Sequence, residues 1–158
     1  MDAATRDRLV RDYQNGPKML REAIAGMTPE QLKAQPIPGK WSTLQVICHL
    51  SDFEPVYVER MKRTIAMEKP ALLGADEKLF AAKLCYDQRD AKEELNLIEV
   101  TRNQMARILR AIPLEAWSRE GMHDERGALS VEKLVTSITN HIQHHMNFIV
   151  EKRKALKV

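Results

Sequence analysis

Three histidines in this sequence stand at helix positions that apolar residues normally fill. His141 and His145 are four residues apart, so they share one helix face, and they continue an apolar stripe that begins at Val131. His49 interrupts a similar stripe in an earlier segment. Three neutral imidazoles with a fourth position left to water form the ligand set of catalytic zinc and related metals. The pattern therefore indicates a divalent metal site made by His49, His141 and His145.

Another interpretation is that each histidine belongs to the core and finds a hydrogen-bond partner there. Burying three imidazoles would leave six ring nitrogens in need of partners, each costing ~1 to 3 kcal/mol if unsatisfied. One divalent cation would satisfy three of those nitrogens at once. This difference favours the metal site over three separate core histidines.

Two polar residues flank His49 on the same predicted helix. Gln45 precedes it by four residues and Asp52 follows it by three, so both can lie near the same face. Either side chain could orient the imidazole by a hydrogen bond. Asp52 could equally be an ordinary carboxylate facing solvent.

Three further residues are candidates for the surroundings of the site. Arg102 interrupts an apolar stripe, so it could face the cavity and hold an anion, or form a salt bridge at the end of the fold. His123 lies in a glycine-containing loop and could carry protons above the metal or lie in solvent. His144 points to a different side of its helix from His145 and is expected at the rim of the site.

Four long amphipathic segments must position these residues, and strand patterns are nearly absent. We therefore predict an all-α, up-down-up-down four-helix bundle that forms one domain over residues 1–158. In that arrangement the second and fourth helices run parallel, so the fourth must start one to two turns lower to bring the histidines level. The four segments run from about Ala3 to Gly26, from Thr43 toward Met67, from about Asp87 to Ala111, and onward from an N-cap at Ser130.

The start of the second segment is the best defined. Ser42 as N-cap places Gln45 at the third helical position, which predicts a capping box. Trp41 and Val46 then stand at the two positions of a hydrophobic staple. Residues 69–86 carry no pattern that assigns them to an element.

Composition excludes several classes of protein. The 158 residues carry a formal charge of only +3, which offers little to a nucleic acid. No run approaches the ~20 apolar residues that a membrane helix needs. Cys48 and Cys85 cannot form a disulfide framework. We expect a cytoplasmic protein with no nucleic-acid or membrane partner.

Three short motifs in order resemble those of the DinB/YfiT-like family of small bacterial four-helix proteins. They are Trp41-Ser42, His49-Leu50-Ser51-Asp52 and His141-Ile142-Gln143-His144-His145. The resemblance implies a bundle that binds nickel or zinc through His49, His141 and His145, and often a homodimer. Some members of that group use the metal to activate bacillithiol, mycothiol or glutathione, and others are called metal-dependent hydrolases.

The function expected first is a metal-dependent transferase that delivers a low-molecular-weight thiol to a small-molecule electrophile. A metal-dependent hydrolase is the alternative among enzymes, and a metal-binding bundle without catalysis is a third interpretation. An enzyme should bring Gln45, Asp52, Arg102 or His123 to the open side of the metal, whereas apolar side chains should close a purely structural site. Leu72, Leu73 and Leu79 are candidates for a homodimer surface.

Overall fold

The computed structural model describes all of residues 1–158. Four long helices dominate it, and their bounds follow the predicted segments closely. Tyr86–Gln88 and Leu114–Ser118 form 3-10 turns. In chain order the other elements are α1 (Ala3–Ala23), α2 (Pro29–Lys33), α3 (Thr43–Ala66), β1 (Ala71–Leu72), α4 (Glu77–Lys83), α5 (Ala91–Ala111), β2 (Glu120–His123), β3 (Gly127–Ser130) and α6 (Val131–Leu156).

Local capping explains where the two histidine-bearing helices begin. The Ser42 hydroxyl accepts a hydrogen bond from the Gln45 N–H, and the Gln45 side chain accepts one from the Ser42 N–H. This capping box starts α3 at Thr43, as predicted. Ser130 caps α6 in the predicted way. Helix α5 begins after an Asp90 cap, later than predicted.

The four long helices form a bundle, which confirms the predicted class, but their order differs from a simple up-and-down arrangement. Helices α1 and α3 each pack against both α5 and α6, so α1 and α3 lie on a diagonal. Helices α5 and α6 lie on the other diagonal. Residues 24–42 connect α1 to α3, and residues 112–130 connect α5 to α6.

Side-chain contacts give the helix directions. Arg153 near the end of α6 reaches the carbonyl of Ala23 at the end of α1, so α1 and α6 run parallel. His49 near the start of α3 meets His141 near the midpoint of α6, whereas Tyr57 later in α3 meets Arg126 just before α6. Helices α3 and α6 are therefore antiparallel, contrary to the predicted parallel pair. Arg21 near the end of α1 binds Asn96 early in α5, whereas Gln14 earlier in α1 binds Arg110 at the end of α5, so α5 runs opposite to α1 and the sequence of directions is up-down-down-up.

A small sheet covers the end of the bundle where α3 ends and α6 begins. Strand β2 pairs parallel with β1 and antiparallel with β3. The sequence did not predict this sheet, because strands of two or four residues are too short to show an alternating pattern. A Cβ at Gly121 would lie within 3 Å of the Leu72 and Thr64 side chains, so the strand packs tightly on α3 and β1.

The buried apolar side chains form two clusters along the bundle. One lies toward the sheet and includes Met105, Trp117 and Leu134. The other lies toward the opposite end and includes Leu20, Ile47 and Ile98. No helix in the structure has both the length and the apolar character that crossing a membrane demands.

Candidate metal centre

The structure brings His49, His141 and His145 together at the end of the bundle that lies away from the sheet. Their candidate ligand atoms all lie within 4.8 Å of one another. The Nε2 atoms of His49 and His141 are 2.9 Å apart. We call these three residues the histidine cluster. Antiparallel packing sets the first turns of α3 beside the middle of α6, so the offset that parallel helices would have needed does not arise.

Burial controls the charge of the histidine cluster. The His49 side chain is 1% exposed, and His145 is also buried. Burial lowers the pKa of His49 to about 4, and burial together with the neighbouring imidazoles lowers the pKa values of His141 and His145 to about 3. All three rings are therefore neutral at pH 7 and keep a lone pair for a ligand.

The protein supplies few partners for these rings. The Nδ1 atoms of His49, His141 and His145 are all buried without a hydrogen-bond partner. The one hydrogen bond within the cluster joins two of its own members, His49 and His141. In a tetrahedral site with metal–nitrogen bonds of ~2.0 to 2.1 Å, two nitrogens lie about 3.3 Å apart. The Nε2 atoms of His49 and His141, 2.9 Å apart, are close to that separation, and all three rings offer an atom within 4.8 Å of the others, so the donor set fits a zinc or nickel ion.

One carboxylate approaches the cluster. Glu77 Oε2 lies 3.9 Å from His49 Nε2, and the Glu77 side chain is 56% exposed. Glu77 is the first residue of α4, whose N-cap is Asp76. Sequence reasoning missed it because residues 69–86 carried no assignable pattern, and an acidic residue in a first helical turn is common.

A cleft of about 620 Å³ adjoins the histidine cluster and gives it access to solvent. Its walls include the two cluster histidines of α6, His141 and His145, and also His144, which takes the rim position expected for it. The mouth of the site is therefore polar and open rather than closed by apolar side chains. The other wall residues are Gly39, Lys40, Trp41, Val46, Glu77, Lys78, Phe148, Glu151 and Lys152.

Comparison with known proteins identifies the family. The model of the DinB superfamily matches residues 12–149. This chain belongs to the DinB superfamily. The match confirms the family that the three motifs resemble.

Two curated relatives of this DinB protein carry similar names. "Putative metal-dependent hydrolase OB0782" of Oceanobacillus iheyensis is 29% identical, with 92% of this chain and 85% of that protein aligned. "Putative metal-dependent hydrolase YfiT" of Bacillus subtilis is 25% identical over 92% of this chain and 83% of its own.

A solved structure of Bacillus subtilis YfiT shares the fold. It superposes with a TM-score of 0.92 at 23% identity, covering 99% of this chain and 90% of its own. That protein is described as "a probable metal-dependent hydrolase with an unusual four-helix bundle topology".

Gln45 and Asp52 do not reach the histidine cluster of this DinB protein. The Gln45 side chain is used by the capping box and by a hydrogen bond to Asp87. Asp52 forms a salt bridge with Arg89, which also binds Glu94. Both side chains point away from the α3 face that carries His49, and neither lines the cleft.

Arg102 lies in the interior of the bundle and is fully engaged there. It forms a salt bridge with Glu54 and donates to the carbonyls of Tyr13 and Ile138. A Cβ at Gly16 would collide with this guanidinium, so glycine makes room for it. Arg102 consequently points into the interior and does not line the cleft, so it cannot hold a substrate anion there.

His123 and Cys48 also lie outside the site. His123 is buried in β2 at the sheet end, where its Nδ1 accepts from the Glu125 N–H and lies 3.0 Å from Asp124. It therefore neither covers the site nor lies in solvent. Cys48 contacts the Tyr86 carbonyl, and burial raises the pKa of its thiol to about 12, so it is no nucleophile for the cleft.

Proposed function

We propose that this DinB protein is an enzyme that uses one divalent metal ion held by His49, His141 and His145. The observation that carries the proposal is the set of three neutral imidazoles, which find no partners beyond one another and open on a solvent-accessible cleft. The names of the two relatives, which call both of them metal-dependent, support it. Zinc and nickel both suit three imidazole ligands.

A bound divalent ion would supply Lewis-acid activation of a nucleophile or of a substrate oxygen. The residues of this chain would do the remaining work. Glu77, 3.9 Å from His49 Nε2, is placed to accept a proton from a nucleophile that enters the cleft. The cleft, about 620 Å³ in volume, has room for a small-molecule substrate beside the cluster.

Hydrolysis is the reaction that we place first. A carboxylate beside three imidazoles is the group that a water nucleophile needs as its general base. Both named relatives are called hydrolases, which agrees with this chemistry.

Thiol transfer, which the sequence placed first, is the second candidate. The family resemblance supports it, and bacillithiol, mycothiol and glutathione are the thiol types that it implies. The sulfur would have to come from a separate molecule, because Cys48 is buried against Tyr86 and the exposed Cys85 does not line the cleft.

A homodimer also belongs to this proposal. Leu73 and Leu79 are 75% and 58% exposed, so they could meet a second copy of the chain. Leu72, in contrast, is buried in the apolar cluster beside the sheet and cannot contribute to a dimer surface. Sedimentation at micromolar concentration tests the dimer, and a single 18 kDa species would contradict it.

The enzymatic proposal is tested on protein loaded with zinc or nickel. We expect hydrolysis of a p-nitrophenyl ester to require the metal and to fall about a hundredfold in Glu77→Gln, at unchanged metal content. Glu151→Gln is the matched control, because it removes a carboxylate from another part of the same cleft and should retain activity.

The same protein is assayed for conjugation of each thiol to 1-chloro-2,4-dinitrobenzene. Metal-dependent conjugation without ester hydrolysis would favour thiol transfer. Stoichiometric metal binding with neither reaction would support a bundle that binds metal without catalysis.

A further inference from the structure

Lys152 is a buried lysine in the wall of the cleft. The residue is only 3% exposed, yet its ammonium makes a single hydrogen bond, to the Phe148 carbonyl at 3.1 Å. No carboxylate oxygen lies within 4.0 Å of it. An ammonium has three donors, so two of them have no hydrogen-bond partner in the protein, and the other contact of the ammonium is with the Phe148 ring, 5.7 Å from its centre.

Burying an ammonium in this way is costly. Lysine is almost never buried unless it is paired, and the burial of Lys152 lowers its pKa. A lysine near a helix C-terminus gains from the helix dipole, but it can do so from solvent, as the exposed Lys154 on the same helix does. The dipole therefore does not explain why this ammonium lies inside the cleft.

The position of Lys152 relates it to the histidine cluster. It follows His145 by seven residues, which is two helical turns, and both residues line the same cleft. The side chain reaches back to the Phe148 carbonyl, so the ammonium lies roughly 5 to 10 Å along the helix axis from His145. That spacing suits two ends of one small molecule.

The charge of the whole wall and its aromatic rings favour an anion with an apolar part. The other charged side chains in the wall, Lys40 and Lys78 against Glu77 and Glu151, balance one another, so Lys152 leaves the wall with one net positive charge even without a metal. The rings of Trp41 and Phe148 supply apolar surface beside them.

We infer that Lys152 binds a carboxylate of the substrate, so that the natural substrate is a small organic acid whose reacting group lies several bonds from its carboxylate. The aromatic walls would hold the carbon chain between the two ends. The substrate role rests on the proposed function, whereas the binding of a carboxylate by Lys152 can be measured without turnover.

The test compares hexanoate with hexanamide, which has nearly the same shape and no charge. Binding to the zinc-loaded protein is followed by NMR chemical-shift changes of the aromatic wall residues. We expect hexanoate to bind at least tenfold more tightly than hexanamide. In Lys152→Met that preference should disappear, and in Lys154→Met, a matched change on the exposed side of α6, it should stay within twofold of the parent protein.

Two results would overturn the inference. Equal binding of hexanoate and hexanamide to the parent protein would do so, and this comparison does not depend on how any variant folds. Hexanoate binding that survives Lys152→Met and vanishes when the metal is chelated would place the carboxylate on the metal instead. Zinc content, measured on every sample, separates these outcomes from a failure of the histidine cluster to bind metal.

Discussion

Two groups of buried polar side chains lie about one helical turn apart in this bundle, and they differ in how many of their polar atoms have hydrogen-bond partners. In the first, Glu54 accepts hydrogen bonds from the Tyr13 hydroxyl at 2.6 Å and from Arg102 Nε at 2.8 Å. Arg102 also donates to the carbonyl of Ile138, three residues before His141. In the second, the histidine cluster, all three Nδ1 atoms are without partners.

The difference shows that burial alone does not identify a functional site. Glu54 and Arg102 are both 1% exposed at the side chain, more buried than His145. Their donors and acceptors satisfy one another, so nothing further is needed. The histidine cluster has donor atoms that the protein leaves unused, and it opens on a cleft. The presence or absence of hydrogen-bond partners for the buried polar atoms distinguishes a structural network from a binding site here.

The largest expected effect comes from breaking the satisfied network. Arg102→Met leaves the Glu54 carboxyl buried with Tyr13 alone, and we expect a loss of about 3 to 5 kcal/mol in the free energy of unfolding. Urea unfolding of the metal-free protein measures it. Replacing Glu54 by Met as well removes the unpaired charge and should restore much of the loss. A double variant as unstable as the single one would contradict a purely structural pair.

The second largest effect is expected in the histidine cluster, whose Nδ1 atoms have no hydrogen-bond partners. His145→Ala leaves two imidazoles and should weaken metal binding by about a hundredfold or more, whereas His144→Ala should leave it nearly unchanged. The two residues are adjacent on one helix, so differences in helix propensity cancel. Metal content after dialysis against a weak chelator is the measurement. Equal retention by the two variants would show that the ligand assignment is wrong.

A smaller effect is expected at the edge of the network. Tyr13→Phe removes one hydrogen bond to a buried carboxylate and should cost about 2 kcal/mol of stability without changing metal affinity. Tyr57→Phe removes a hydroxyl that meets only the exposed Arg126, so it should change stability by less than about 0.5 kcal/mol. Similar losses of stability in the two variants would mean that the buried hydrogen bond from Tyr13 to Glu54 adds nothing to stability.

The smallest effect, about 1 kcal/mol for each pH unit, is a change that one variant makes in the pH dependence of the metal-free protein. Unfolding raises the pKa of each cluster imidazole from about 3 or 4 to ~6.5, so the unfolded chain takes up protons first as the pH falls. Stability should therefore be greatest above pH 6.5 and decline from there toward pH 4. His145→Leu should reduce that slope by about 1 kcal/mol per pH unit. His144→Leu, at an exposed position, is the control and should keep the parent slope.

Local sequence determined the helices and the ligand candidates. Capping at Ser42 and Ser130 set the starts of α3 and α6, because a cap acts within one turn. Histidines at the spacing of a helix face then had to project together, and this placed His141 beside His145. The pairing of His49 with them needed only that the apolar stripes of two helices meet.

Tertiary structure decided everything that depends on which elements are neighbours. An apolar stripe says which face is buried but not what covers it, so the antiparallel packing of α3 on α6 could not be predicted from the stripes. For the same reason Arg102 proved to be paired with Glu54, and His123 lay in a sheet at the far end. Glu77 approaches His49 across 28 residues of chain, a contact that no local pattern encodes.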